Sequence, residues 1–219
     1  GEDGGDGGDG EAKGGGPGGL SEDIEKLLHK GEELATMAAN IHESGRPLIM
    51  HKITQMRKAS NTPKYLQQLM KEVCTFLCYE ATANLPLEPC EVKTCVGAEA
   101  GQHIAARVGI VPVLRGGLGM VESMTEMVSN AQVWHLGIYR DKKSLLPIEY
   151  YNKLPKRITV QTVFVLDPMP MSEHDLNHLD NLGGAAHLLI TNSDHVRDAQ
   201  NLVKRTGAKT WGPMAEKEN

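Results

Sequence analysis

The segment VFVLDPMPMSEHDL, residues 163–176, places an acid where α/β proteins commonly do chemistry. The apolar run Val163, Phe164, Val165 and Leu166 delivers Asp167 at its end, and a short loop then leads into a helical pattern. A strand, loop and helix in that order form a frequent phosphate site, because unpaired amides at a helix start point at the anion and the helix dipole favours it. The loop itself argues otherwise, since it carries Glu173 and Asp175 where a phosphate cradle wants glycines. Ser172 followed by Glu173, His174 and Asp175 reads as a helix start, with a hydroxyl cap and acids in the first turn.

Two further groupings could bind metal. His174 and His178 are four apart and share one helix face, with Asp167, Glu173 and Asp175 near them in sequence. No HExxH pattern accompanies them, so polar surface is the expectation and no metal site is assigned. Cys74, Cys78, Cys90 and Cys95 lack the tight C-x2-C spacing of zinc knuckles. They are expected to be reduced, free thiols, which points to a reducing compartment.

The elements that must position these groups follow from periodicity. Residues 21–44 open with Ser21, Glu22 and Asp23, a helix-start signal, and are expected to be helical with a break at Gly31. Residues 47–58 suggest a short strand or turn running into a helix. Thr62 and Pro63 start the strongest helix, whose stripe runs through Tyr65, Leu66, Leu69, Met70, Val73, Phe76, Leu77 and Ala81. Residues 86–97 read as a strand with turns. VGIVPVL (108–114) and ITVQTVFVL (158–166) suit buried parallel strands. Between them, RGGLGMVESMTEMV is a glycine loop entering a helix, and QVWHLGIYR (132–140) and LPIEYYNKL (146–154) form a hairpin. Helix at 172–182, strand at 187–191 and helix at 193–207 complete the pattern, which predicts an α/β protein with a mainly parallel, wound sheet.

Composition sets the outer bounds. The 219 residues suffice for one sizeable α/β core. Residues 1–20 hold 11 of the 24 glycines and carry net charge −4, so a disordered tail is expected there and a single domain over 21–219. The whole chain carries −5, which leaves a near-neutral body without the basic face that nucleic-acid binding wants. No apolar run reaches the roughly 18–20 residues of a membrane span, and no secretory signal is visible. The expected location is intracellular and cytoplasmic, with the mitochondrial matrix as the alternative for a processed chain.

Several motifs in one order then point to a family. IVPVLRGGLGM (110–120), GIYRD (137–141), EYYNKLP (149–155) and VLDPM (165–169) resemble uracil phosphoribosyltransferase, as do PLIMHKITQMR (47–57) and YEATANLPLE (79–88). The resemblance covers about residues 45–169 and implies a type I phosphoribosyltransferase fold with a β-hairpin arm across a dimer partner. It implies that Arg115 and Arg140 contact the pyrophosphate side of the donor, where a planar cation engages phosphate oxygens bidentately and offsets leaving-group charge. By the same resemblance Asp167 holds the ribose hydroxyls of phosphoribosyl pyrophosphate, and magnesium is required only if the chain is active.

The family's phosphate loop reads roughly Leu-Ala-Thr-Gly-Gly-Ser, where this chain has Pro170, Met171, Ser172, Glu173, His174 and Asp175. Two carboxylates beside a phosphate monoester would cost on the order of 4 kcal/mol per contact at about 4 Å in a surface-like dielectric. The family's glycine-rich C-terminal uracil segment also has no counterpart in WGPMAEKEN, so the domain reads as truncated at the C-terminus. The expectation is a relative that has lost catalysis and serves as a homo-oligomer or as a structural or interaction subunit of a larger assembly, a mitochondrial ribosome being one example. The alternative is an active enzyme of pyrimidine salvage, converting uracil and phosphoribosyl pyrophosphate to UMP and pyrophosphate. Adjacent Tyr150 and Tyr151 in the arm should face opposite sides, one serving the core and one a partner.

Overall fold

Two continuous apolar runs set the architecture, because a strand with no polar face must be covered on both sides. In the computed structural model, which describes residues 39–157, 159–191 and 196–213, these runs are the central strands β4 (Val108–Leu114) and β8 (Thr162–Leu166). They pair in parallel, with Ile110 opposite Phe164. β1 (Ile41–Ser44), β10 (Lys209–Pro213) and β9 (His187–Leu189) extend the sheet on the β8 side. β6 (Leu136–Arg140) and β7 (Pro147–Asn152) extend it beyond β4, and the short β5 (Gln132–Val133) also pairs with β4. The path runs β1-β10-β9-β8-β4-β6-β7, and of its pairings only β6 with β7 is antiparallel. This is the expected parallel sheet with a hairpin arm.

Side chains alternate across the sheet. Phe164 and Leu166 join Ile110 and the helices α1 (Pro47–Met56), α2 (Pro63–Ala81) and α3 (Leu118–Met127) on one face. Val163 and Val165 join Val111, Val113 and the helices α4 (Glu173–Asn181) and α5 (Val196–Thr206) on the other. The period of two along β8 therefore assigns each apolar side chain to one of two cores.

α2 forms as its sequence predicts. Thr62 Oγ1 accepts from the Tyr65 amide, Pro63 occupies the first turn, and Leu69, Val73, Leu77 and Ala81 are buried. Cys74 and Cys78 lie on the same buried face, and all four cysteines are free thiols. Burial pushes the Cys78 thiol up to about 12 and the Cys74 thiol well above its ordinary value, so both pack as neutral groups. Tyr65 and Leu66, expected in the stripe, are exposed at the helix start.

Two expectations need correction, and one element had no sequence signal. Residues 41–44 are not helical but form β1, in parallel register with β10 from Ile41 opposite Thr210 to Ser44 opposite Pro213. The ladder with a distant strand overrides the local helical pattern there. Residues 47–56 are helical throughout, with Pro47 in the first turn and Ile49 and Ile53 buried, so this segment opens as helix and not as the expected strand or turn. A third element, β3 (Ala98–Ile104), pairs antiparallel with β2 (Leu87–Lys93) as a separate two-stranded sheet. The expected tail at 1–20 and the start of the 21–44 helix lie outside the described residues. Among the described residues no helix is long and apolar enough to cross a membrane.

One half-buried histidine should make stability pH-dependent. The His187 ring stacks on Phe164 at 4.6 Å, and its Nδ1 accepts from Trp211 Nε1 at 3.0 Å, which requires a neutral imidazole. Burial first, then the charge of Lys209 and the neighbouring His42, pushes its pKa down to about 4. The unfolded chain therefore takes up this proton first, near the ordinary value of 6.5. The contribution is whole above that value and drains away as pH falls toward 4. Its ceiling of about 3 kcal/mol shrinks to roughly 2 kcal/mol because the ring is only partly buried. Urea midpoints measured from pH 7 to 4 should fall accordingly, and more steeply in the parent than in His187→Leu; parallel profiles would show that His187 does not titrate on unfolding.

Candidate active site

The carboxyl ends of β8, β4 and β6, three neighbours in the sheet, each present one of the polar residues expected from sequence. Asp167 directly follows β8, Arg115 directly follows β4, and Arg140 is the last residue of β6. Pro112 is level with Leu166 and Leu114 with Gly137, so the three positions lie at one edge of the sheet. Ligands of wound α/β sheets bind outside this edge.

Asp167 is almost fully buried and adopts φ +47°, in the left-handed region. Aspartate tolerates that conformation better than most residues, and the ladder holds it there through its amide, which donates to Leu189 O at 2.8 Å. The carboxylate is aimed by Thr191, whose amide and hydroxyl donate to Oδ1 at 2.9 and 3.0 Å and whose hydroxyl also lies 2.9 Å from Oδ2. The turn after β4 closes over it. A Cβ on Gly116 would stand 3.2 Å from Asp167 Oδ2, and one on Gly117 only 2.6 Å from Leu166 O and 2.9 Å from Val113 N. The glycines of RGGLG thus allow the turn to press against the end of β8. Arg115 opens this turn and is exposed, and Arg140 is half-buried on the arm. Thr191 went unrecognised as a site residue, although a hydroxyl two residues past an apolar strand was visible in HLLIT.

The loop after Asp167 is organised as a helix start. Ser172 Oγ accepts from the Asp175 amide at 3.2 Å, and Asp175 Oδ2 accepts from the Ser172 amide at 3.3 Å and from its hydroxyl at 2.8 Å. This reciprocal cap is worth on the order of 1 kcal/mol. Glu173 turns outward to Arg205, 2.9 Å away, which also holds Asp180 at 2.7 Å and Asn177 at 2.6 Å. Pro170 and Met171 line a cavity of about 450 Å³ with Met169, Leu176 and Arg205.

The histidines of this helix part company. His178 Nε2 lies 3.1 Å from Pro155 O, while His174 Nδ1 lies 3.9 Å from Glu149 Oε2 and 3.8 Å from Asp175 Oδ1. Asp167 and Glu173 have other partners, so the five-residue group considered from sequence does not assemble. Glu149 on β7 joins His174 and Asp175 instead, and contact with the Asp175 carboxyl holds its own carboxyl above the ordinary value despite donation from Asn152.

A sequence model described as uracil phosphoribosyltransferase matches residues 43–173. The chain belongs to the uracil phosphoribosyltransferase family. The uracil phosphoribosyltransferase of Roseiflexus sp. (strain RS-1) is 47% identical over 131 residues, covering 60% of this chain and 63% of that protein. That of Finegoldia magna is 45% identical over 146 residues, covering 66% and 65%. The chain thus spans a little under two thirds of the length of these curated relatives. Among solved structures, the AQ2163 protein from Aquifex aeolicus superposes with TM-score 0.63 at 27% identity, covering 78% of this chain and 83% of that one. A metallo-beta-lactamase superfamily model matches the shorter stretch 151–219, whose strands β8, β9 and β10 lie in the same sheet as β4.

These relatives overturn the expectation that the chain has lost catalysis and persists only as a structural or interaction subunit. Proteins 45–47% identical to it across the site-bearing strands are named as the enzyme, and Arg115, Arg140 and Asp167 all lie within the matched residues. The structure also weakens the electrostatic objection. The repulsion estimate assumed two bare carboxylates in the loop, whereas Glu173 is paired with Arg205 and Asp175 is folded under its own helix start.

Proposed function

We propose that this chain transfers the phosphoribosyl group of phosphoribosyl pyrophosphate, supplied as its magnesium complex, to uracil. N1 of uracil bonds to C1′ of the donor, the bond from C1′ to the pyrophosphate oxygen breaks, and the N1 proton leaves, giving UMP and pyrophosphate. The observation that carries the reading is the convergence of Arg115, Arg140 and Asp167 at the carboxyl ends of three neighbouring strands. The two guanidiniums neutralise charge as it gathers on the leaving pyrophosphate, an interaction stronger in the transition state than before it. Asp167, held by Thr191, accepts hydrogen bonds from the ribose hydroxyls and fixes C1′ in place. A cytoplasmic setting fits the free thiols, and the bacterial relatives give the mitochondrial alternative no support. The test is direct: purified full-length chain, uracil and magnesium phosphoribosyl pyrophosphate should yield UMP, and no product above the enzyme-free control overturns the reading.

The arm supports a homo-oligomer. Tyr139, Leu145, Leu146, Ile148, Tyr150 and Tyr151 are all exposed on or beside β6 and β7. The expectation that one of the two adjacent tyrosines serves the core is corrected, because both stand out: Tyr150 lies beside Tyr139 at 6.1 Å, and Lys153 covers the Tyr151 ring at 5.7 Å. Aromatic side chains with polar tips suit an interface. Light scattering at micromolar concentration should report a dimer or larger species for the parent and a smaller one for Tyr150→Ala. A monomeric parent would refute this arrangement.

A further inference from the structure

We infer that Glu149, His174 and Asp175 form a binding site for a divalent first-row transition-metal ion, linking the hairpin arm to the start of α4. Each residue offers one ligand atom, and the three atoms lie within 4.8 Å of one another. His174 Nδ1 is 3.9 Å from Glu149 Oε2 and 3.8 Å from Asp175 Oδ1. An ion with bonds of about 2.1 Å in tetrahedral geometry sets its ligands roughly 3.4 Å apart, so His174 Nδ1 need close on each carboxylate by only about half an ångström.

An independent observation points to the missing partner. Asp175 is fully buried, and its Oδ1 has no hydrogen-bond donor unless Glu149 takes up a proton to share, although Oδ2 is satisfied by Ser172. Buried carboxylate oxygens nearly always have a donor or a cation, since leaving one orphaned forfeits its hydration. Oδ1 faces the His174 ring, whose Nδ1 is the remaining ligand atom on that side.

The ligands are also braced from behind, as metal ligands commonly are. Asn152 Nδ2 donates to Glu149 Oε2 at 2.9 Å, and Ser172 Oγ donates to Asp175 Oδ2 at 2.8 Å. Two carboxylates balance a charge of +2, and the imidazole selects manganese, iron, cobalt, nickel or zinc over magnesium or calcium. Three protein ligands leave a position for water, on the side where His174 is 80% exposed. Arm and helix come from opposite sides of β8 in sequence, so the ion would fasten β7 to α4.

Cobalt(II) is the probe, read by visible absorption during titration of the full chain at neutral pH, an assay that needs no turnover and so is separate from the transferase reading. The parent should bind one equivalent saturably. His174→Ala and Glu149→Gln should each weaken binding by more than about 100-fold, and Asn152→Ala by about 10–100-fold. His174 is exposed enough for its replacement to leave the fold intact, which far-ultraviolet circular dichroism checks, whereas Asp175→Asn would also disturb the cap. Absence of saturable binding in the parent overturns the site and leaves a carboxyl pair sharing a proton. Binding unchanged in both His174→Ala and Glu149→Gln overturns it equally, because the ion then sits on other residues.

Discussion

Replacing Arg115 with alanine should lower kcat/KM for the proposed UMP formation by roughly 10²–10³-fold, the loss typical when one preorganised group is removed from developing charge. Arg115 is exposed at the end of β4, so the change should not disturb the core, and thermal melting of the variant should match the parent. The donor's pyrophosphate is already anionic and gains further charge as its bond to C1′ breaks, so the part of the loss tied to that gain should fall on kcat rather than on KM for the donor. Asp167→Asn is the companion variant. It keeps the shape under the Gly116 turn and an oxygen for the Thr191 amide, but replaces an acceptor for the ribose hydroxyls with a donor. A loss of similar size is expected, this time with KM for the donor raised. Initial rates at varied donor concentration measure both effects. Retention of parental kcat/KM in both variants would remove the two residues from the reaction, even if the parent makes UMP.

What the sequence could reveal depended on whether the signal was local. α2 was legible in full, because Thr62, Pro63 and the spacing of Leu69, Val73 and Leu77 specify a cap, a start and a buried face without reference to the rest of the chain. β4 and β8 were legible because they are short, almost wholly apolar runs rich in β-branched residues, Val108, Ile110, Val111 and Val113 in one and Val163 and Val165 in the other. The Ser172 cap was legible for the same local reason. β1 was not, because residues 41–44 become a strand only through pairing with Thr210 to Pro213, far along the chain. β10 went unread for the reciprocal reason, lying between β1 and β9 with a short, mixed sequence.

The site divides along the same line. Asp167, Arg115 and Arg140 were identifiable from motif order, and the sheet then brings their strand ends together. Thr191, Arg205 and Glu149 act on the loop from 16 or more positions away in the chain, and pairings of that kind have no period or spacing to betray them. The mistaken inference about catalysis arose here. Two acids in a phosphate loop read as repulsive only while their partners are unknown, and Arg205 lies 32 residues beyond Glu173.

The largest stability change is expected at Phe164. Its side chain is fully buried on β8 between Ile110 of β4 and His187 of β9, its register neighbours on either side. It also packs in the same core as α1, α2 and α3, so no single element can shift to fill the space it leaves. Phe164→Ala should therefore cost about 3–5 kcal/mol, the sum of lost transfer energy and the residual cavity. Against a total of about 5–15 kcal/mol for a typical domain, that is a large share, and the urea midpoint should fall in proportion with little change in slope. The variant should act on His187 as well. The ring loses its stacking partner at 4.6 Å, and water entering the cavity relieves the burial that holds its pKa down to about 4. That pKa should climb back toward 6.5, so the decline in stability between pH 7 and 4 should be shallower in Phe164→Ala than in the parent. A loss under about 1 kcal/mol would mean that the three helices do not close over Phe164 as described. A large loss with an unchanged pH profile would instead separate the packing of Phe164 from the protonation of His187.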